Sequence, residues 1–108
     1  MEKCIIVEGR SDKLKITPLF NEQVVILCTN GTISEDDLIE LLEPYEHYEM
    51  VTMFDADRNG EKLRKLMNRV YSEAQHLITP FQFREVAETP TKVLIKLLKD
   101  AKFIIKEG

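Results

Sequence analysis

A chain of 108 residues, 44% hydrophobic and 31% charged with only four Gly and four Pro, is long enough for one buried core and too short for two, and this composition excludes disorder and low complexity. Nineteen acidic residues against fifteen basic ones leave a net charge of −4, the wrong balance for gripping nucleic acid by general electrostatics, so any polyanion must be held locally, by a metal ion or with the help of a partner. The apolar run Cys4-Ile5-Ile6-Val7 is too short for a signal-peptide core or a membrane span, which predicts a single cytoplasmic domain over residues 1–108 and no membrane association.

That first run reads as a buried strand ending in the turn residues Glu8-Gly9-Arg10-Ser11-Asp12. Ser11 is placed to cap a short helix that Pro18 ends. A second β-branched run, residues 24–28, stops at Thr29-Asn30-Gly31-Thr32. Cys4 and Cys28 have no partner at metal-ligand spacing and are expected as reduced core thiols. Ser34-Glu35-Asp36-Asp37 resembles a capping box, followed by Leu38, Leu41, Leu42 and Tyr45 at helical spacing until Pro44 interrupts. Residues 49–54 predict a third strand. Leu63, Leu66, Met67, Val70, Tyr71 and Ala74 draw the clearest amphipathic stripe in the chain. A fourth strand is predicted at residues 76–79, and Thr89-Pro90 opens a last helix carrying Val93, Leu94, Leu97, Leu98 and Ala101. Phe103-Ile104-Ile105 is expected as an edge strand or a packed coil.

Short apolar strands alternating with helices imply βαβ units, hence an α/β fold with a mostly parallel, four-stranded, Rossmann-like sheet and helices on both faces. Ligands of such sheets bind outside the carboxyl ends of the strands. Glu8, Asn30-Gly31 and Asp55-Ala56-Asp57 all fall there.

The stretch Asp55-Ala56-Asp57-Arg58-Asn59-Gly60 matches the front of an EF-hand calcium loop, but the twelfth position is Leu66, which cannot supply the closing carboxylate. Two carboxylates two residues apart on an extended segment can share a direction, and an all-oxygen set of this kind suits Mg²⁺ or Mn²⁺. Taken alone, a solvated turn with a helix N-cap explains Asp55 and Asp57 equally well. Glu8 shifts the balance, because a charged side chain directly ending an Ile-Ile-Val strand before Gly9 is seldom there for packing. Gly9 and Gly60 would let backbone approach a phosphate closely, although a tight turn accounts for each as well. His47 is expected on the surface and His76 at a strand edge.

Val7-Glu8-Gly9, Thr29-Asn30-Gly31 and Phe54-Asp55-Ala56-Asp57-Arg58-Asn59-Gly60 together resemble the Toprim domain, found in topoisomerases, bacterial primases, recombination proteins and several nucleases. Within that family the chain is similar to the Toprim domain of the bacterial maturases that trim 5S ribosomal RNA, through Val7-Glu8-Gly9, Thr29-Asn30-Gly31 and Val86-Ala87-Glu88-Thr89-Pro90. The resemblance implies a small stand-alone Toprim domain with Mg²⁺-dependent phosphodiester cleavage or nucleotidyl transfer on RNA or DNA. It implies Glu8 as general acid or base, and Asp55 and Asp57 as metal ligands with Glu8 sharing the ion. Asp12 would stand behind the ligands or hold a second metal, a helix-start acid being the equal alternative. Gly9, Arg10, Lys13, Asn30, Gly31, Arg58, Gly60 and Lys62 would contact phosphate or nucleic acid, and a protein partner or self-association would assist. The competing function is a noncatalytic module that binds metal or phosphate while serving assembly. A phosphoacceptor receiver domain fits less well, since the first strand offers only Glu8 and no Lys-Pro follows a fifth strand.

Overall fold

The computed structural model describes residues 2–106. Four strands, β1 (Lys3–Val7), β2 (Val25–Cys28), β3 (Glu49–Thr52) and β4 (Gln75–His76), form one sheet in the order β2-β1-β3-β4. Every pairing is parallel, with Ile5 opposite Ile26 on one side and Val51 on the other. Three α-helices connect them, α1 (Arg10–Ile16), α2 (Glu35–Leu42) and α3 (Arg58–Val70), and α4 (Thr91–Asp100) follows the last strand.

β1 is central, and its apolar side chains alternate between two cores. Ile5 and Val7 pack with Ile16 of α1 and Leu94 and Leu98 of α4. Cys4 and Ile6 pack with Leu38 and Leu42 of α2 and Leu63 and Met67 of α3. Two-sided burial explains why these strands read as continuous apolar runs, and it places helices on both faces as expected. The chain leaves β1 toward β2 and returns past β1 to β3, so the carboxyl ends of β1 and β3 lie side by side where the winding reverses. Both cysteines are free thiols, and burial pushes Cys4 up to about 12, where it is inert.

Local boundaries differ from the sequence reading for identifiable reasons. The cap of α1 is Gly9, whose N–H donates to the Asp12 carboxylate at 3.0 Å, and Ser11 lies within the helix. Pro18 is accommodated in a 3₁₀ turn, Thr17–Leu19. Ser34 caps α2 as expected, accepting from the Asp37 N–H at 3.1 Å, but Pro44 sits in a 3₁₀ turn, Glu43–Tyr45, after the helix. The β3 ladder stops at Thr52, two residues before the predicted end, and Met53 continues it with a single N–H bond to the Ile6 carbonyl at 2.9 Å. β4 shrinks to two residues, followed by a single bond from the Leu77 N–H to the Thr52 carbonyl at 2.8 Å, and the chain then turns back over the sheet end through 3₁₀ turns at Phe81–Phe83 and Val86–Glu88. The tail contributes one antiparallel bridge, Ile105 to Phe20, with Phe103 edge-on to the Phe20 ring at 5.2 Å.

Candidate active site

Glu8 follows the last residue of β1, and its backbone is clamped before its side chain is considered. The Glu8 carbonyl accepts N–H bonds from Asn30 at 2.7 Å and Gly31 at 3.4 Å. Both donors sit in the left-handed region, φ 61° and 91°, which Asn tolerates and Gly favours. The Asn30-Gly31 turn at the end of β2 therefore fixes Glu8 by main-chain contact. The Glu8 side chain accepts from Asn59 Nδ2 at 3.2 Å. Its carboxyl is pushed up from 4.5 to about 8, first by burial, then by a hydrogen bond with the Asp55 carboxyl, then by the charges of Asp55, Asp57 and Asp12. Glu8 and Asp55 thus form a hydrogen-bonded carboxyl pair.

Asp55 is held at three points. Its Oδ1 accepts the Val86 N–H at 2.7 Å, and its carbonyl accepts from Arg64 Nη1 at 3.1 Å. Gly60 of α3 lies against that same carbonyl so closely that a Cβ there would come within 1.9 Å of the oxygen. Gly60 is thereby required by packing, in the first turn of α3, and the fold itself accounts for this glycine. Gly9 differs: a Cβ there would meet only Asp12 Oδ2, at 3.8 Å.

Asp57 is the N-cap of α3, its Oδ1 accepting the Gly60 N–H at 2.8 Å. Asp12 is only 6% exposed. Burial pushes its carboxyl up, and backbone N–H groups of Gly9 and Ala87 partly offset this.

Two clefts flank the Asp55-Ala56-Asp57 turn. One, of about 240 Å³, is lined by Glu8, Gly9, Ser11, Asp12, Asn30, Gly31, Asp55, Glu85 and Ala87. The other, of about 660 Å³, is lined by Ala56, Asp57, Arg58, Glu61, Arg64, Ile78, Thr79, Phe81 and Arg84. Glu8, Gly9, Asp12, Asn30, Gly31 and Asp55 are therefore brought together in the first cleft, whereas Asp57 and Arg58 line the second. The Glu8 and Asp55 carboxyls are hydrogen-bonded to each other, while capping α3 engages one oxygen of the Asp57 carboxylate at the helix end; its charge still reaches Glu8. Arg10, Lys13 and Lys62 are exposed and line neither cleft.

Glu85, Val86 and Ala87 escaped the sequence reading as site residues, although the motif around Val86 was visible. Their contribution depends on a fold-back that joins residue 86 to residue 55, which has no local signal. His47 is surface-exposed beside Glu46 at 3.5 Å. His76 is half-buried between the Thr52 hydroxyl at 2.5 Å and Asn68 Oδ1 at 2.7 Å, a structural role in β4.

Among the described residues no three His, Cys, Asp or Glu side chains are grouped so as to hold a metal ion by themselves. This donor set fits Mg²⁺ nonetheless, because that ion keeps several waters and is bound by one or two carboxylates plus substrate phosphates. A carboxyl pair already crowded by acidic neighbours is the environment such a cation relieves.

The Toprim domain family model matches residues 3–89. YusF of Bacillus subtilis (strain 168), a protein described as uncharacterized, is 44% identical over 98 residues, covering 91% of this chain and 67% of YusF. A solved structure described as a small TOPRIM domain protein from Bacillus stearothermophilus superimposes with a TM-score of 0.93 at 48% identity, covering 98% of this chain and 90% of that one.

Proposed function

The chain belongs to the Toprim family, and on that premise we propose that it cleaves or transfers phosphodiester bonds of nucleic acid, with Glu8 as general acid or base and Asp55 and Asp57 as ligands of Mg²⁺ or Mn²⁺. Toprim domains are often involved in nucleic-acid cleavage or nucleotidyl transfer and typically bind Mg²⁺. The observation that carries the reading is the Glu8–Asp55 carboxyl pair at the carboxyl ends of adjacent parallel strands, with the Glu8 carboxyl held up to about 8. A carboxyl group protonated near neutrality can give its proton to a leaving oxygen or take one from an attacking water.

The surrounding residues supply orientation. Asn59 holds the Glu8 carboxyl and the Asn30-Gly31 turn its main-chain carbonyl, and the Val86 N–H pins one oxygen of Asp55. Gly9, where a Cβ would meet only Asp12 Oδ2 at 3.8 Å, lets a phosphate come against the start of α1. Asp55 and Asp57, with Glu8 sharing, would hold the ion, whose chemistry is to offset charge developing on the phosphoryl oxygens. Asp12 acts on Glu8 through its negative charge and fixes the Gly9 backbone.

A second reading, a noncatalytic metal- or phosphate-binding assembly module, is favoured by the engagement of the Asp57 carboxylate in capping α3. Incubation of end-labelled structured RNA, single-stranded DNA and duplex DNA with Mg²⁺, Mn²⁺ or chelator separates the two. Metal-dependent cleavage of any of them is expected. Metal binding by folded protein without turnover of any substrate would favour the module.

A further inference from the structure

The second cleft contains groups that the proposed chemistry does not use. Phe81 is the most exposed large apolar side chain among the described residues, at 81%, and Ile78 beside it is 51% exposed. Both stand at the rim of the cleft that Arg58, Arg64 and Arg84 line with Asp57 and Glu61. Three guanidinium groups face two carboxylates, one of which caps α3 while the other lies 3.5 Å from Lys65. The local balance is therefore positive in a chain whose net charge is −4. On the cleft wall Thr79 is 2% exposed, and its hydroxyl has no hydrogen-bond partner. A buried hydroxyl left unpaired costs stability, so one kept on a cleft wall is poised for a polar atom of a ligand.

An exposed aromatic ring, guanidinium groups spaced around it and a buried polar handle are the chemistry that holds an unpaired nucleotide: the base stacks on the ring, and phosphates meet the arginines. We propose that this cleft seats one unpaired nucleotide of a nucleic-acid strand, its base on Phe81 and its edge hydrogen-bonded to the Thr79 hydroxyl, with the backbone continuing across the Asp55-Ala56-Asp57 turn into the acidic cleft. The inference rests on the proposed nucleic-acid function and names its substrate class: a single strand, a loop or a frayed end, in preference to a continuous duplex. Duplex bases are paired and stacked and cannot reach Phe81. Arg64 links the two clefts, since it lines this one and donates to the Asp55 carbonyl at 3.1 Å.

The chain has no Trp, so Phe81→Trp creates a single fluorescent reporter at an exposed position. Titrating this variant in chelator with oligothymidylate, an abasic strand of the same length and a blunt duplex reads base stacking apart from cleavage. Quenching by oligothymidylate alone is expected. Quenching equal to that by the abasic strand, quenching by the duplex only, or none at all would overturn the inference. Phe81→Ala should weaken single-strand binding, read by anisotropy of a labelled strand, by about 5- to 100-fold, the range of base–aromatic stacking. Thr79→Val should weaken it less while leaving the melting temperature equal or higher, because an unpaired hydroxyl is removed; binding unchanged in both variants would also overturn the inference. Stacking without any metal-dependent cleavage would instead defeat the catalytic reading and leave the nucleotide site standing. Cleavage without stacking would do the reverse.

Discussion

The two clefts either side of the Asp55-Ala56-Asp57 turn are opposites built from one backbone segment. The first gathers Glu8, Asp12, Asp55 and Glu85 with no basic side chain on its wall. The second sets Arg58, Arg64 and Arg84 around exposed apolar side chains. A single acidic or basic surface would serve only one of two demands, because a cation must be attracted where the phosphodiester reacts and a polyanion must be attracted beside it. Separating the charges across a three-residue turn meets both, and it reconciles a net charge of −4 with the proposed nucleic-acid substrate.

The comparison breaks most severely at Asp55. Asp55→Asn removes a negative charge from the acidic cleft while keeping the shape that receives the Val86 N–H, and cleavage should fall roughly 10²- to 10⁴-fold in single-turnover assays. Strand binding in the basic cleft should be unchanged in the same protein.

Gly60→Ala strikes both clefts at once. The new methyl group would stand 1.9 Å from the Asp55 carbonyl oxygen, and the backbone must move, at a cost of about 1–3 kcal/mol or more. Urea unfolding should show this as a lower midpoint with an unchanged slope.

A pH series sharpens the contrast, since the acidic cleft holds two carboxyls raised by burial. Glu8 has a folded value of about 8 against 4.5 for the free carboxyl, so the folded state binds more protons than the unfolded state between those values. Its contribution to stability is greatest below about pH 4.5, declines as pH rises toward 8 and then levels off. Asp12, also raised, adds in the same direction. Partial solvent exposure of Glu8 makes the effect smaller than the nominal shift. Melting temperatures of the metal-free protein, native against Glu8→Gln, should diverge in favour of the variant on going from pH 5 to pH 8, and Mg²⁺ should raise the native value more at pH 8 than at pH 5.

The smallest effects separate the two roles of Asp57. Asn caps helices as well as Asp, so Asp57→Asn should change unfolding free energy by only a few tenths of a kcal/mol, whereas Asp57→Ala should cost about 0.5–2 kcal/mol. Loss of cleavage in Asp57→Asn despite full stability would show the carboxylate acting beyond its cap.

The sheet was legible because β-branched runs ended in turn residues at each strand, and Glu8 and Asp55 were legible because charged groups at such ends are rarely packing residues. The position of Asp57 as a cap was one of two local readings, and it becomes visible only in the bond to Gly60. Gly60 itself read as a turn or phosphate glycine, since its collision with the Asp55 carbonyl is a property of helix placement. Of the segment Thr79-Pro80-Phe81-Gln82-Phe83-Arg84, only Thr79 was read, as the end of a strand. Two phenylalanines in a Pro-containing turn were its only signal, and their meaning depends on arginines from α3 that meet them in space.

The most direct test of the account is the single-turnover cleavage rate of Glu8→Gln beside the native protein, at saturating Mg²⁺ on whichever nucleic acid the native protein turns over. Gln keeps the size of the side chain and its capacity to accept from Asn59 but carries no titratable proton. A fall of roughly 10²- to 10⁴-fold with strand binding and folding intact is the predicted result. Native-rate cleavage by Glu8→Gln would contradict it and remove the carboxyl pair from the chemistry.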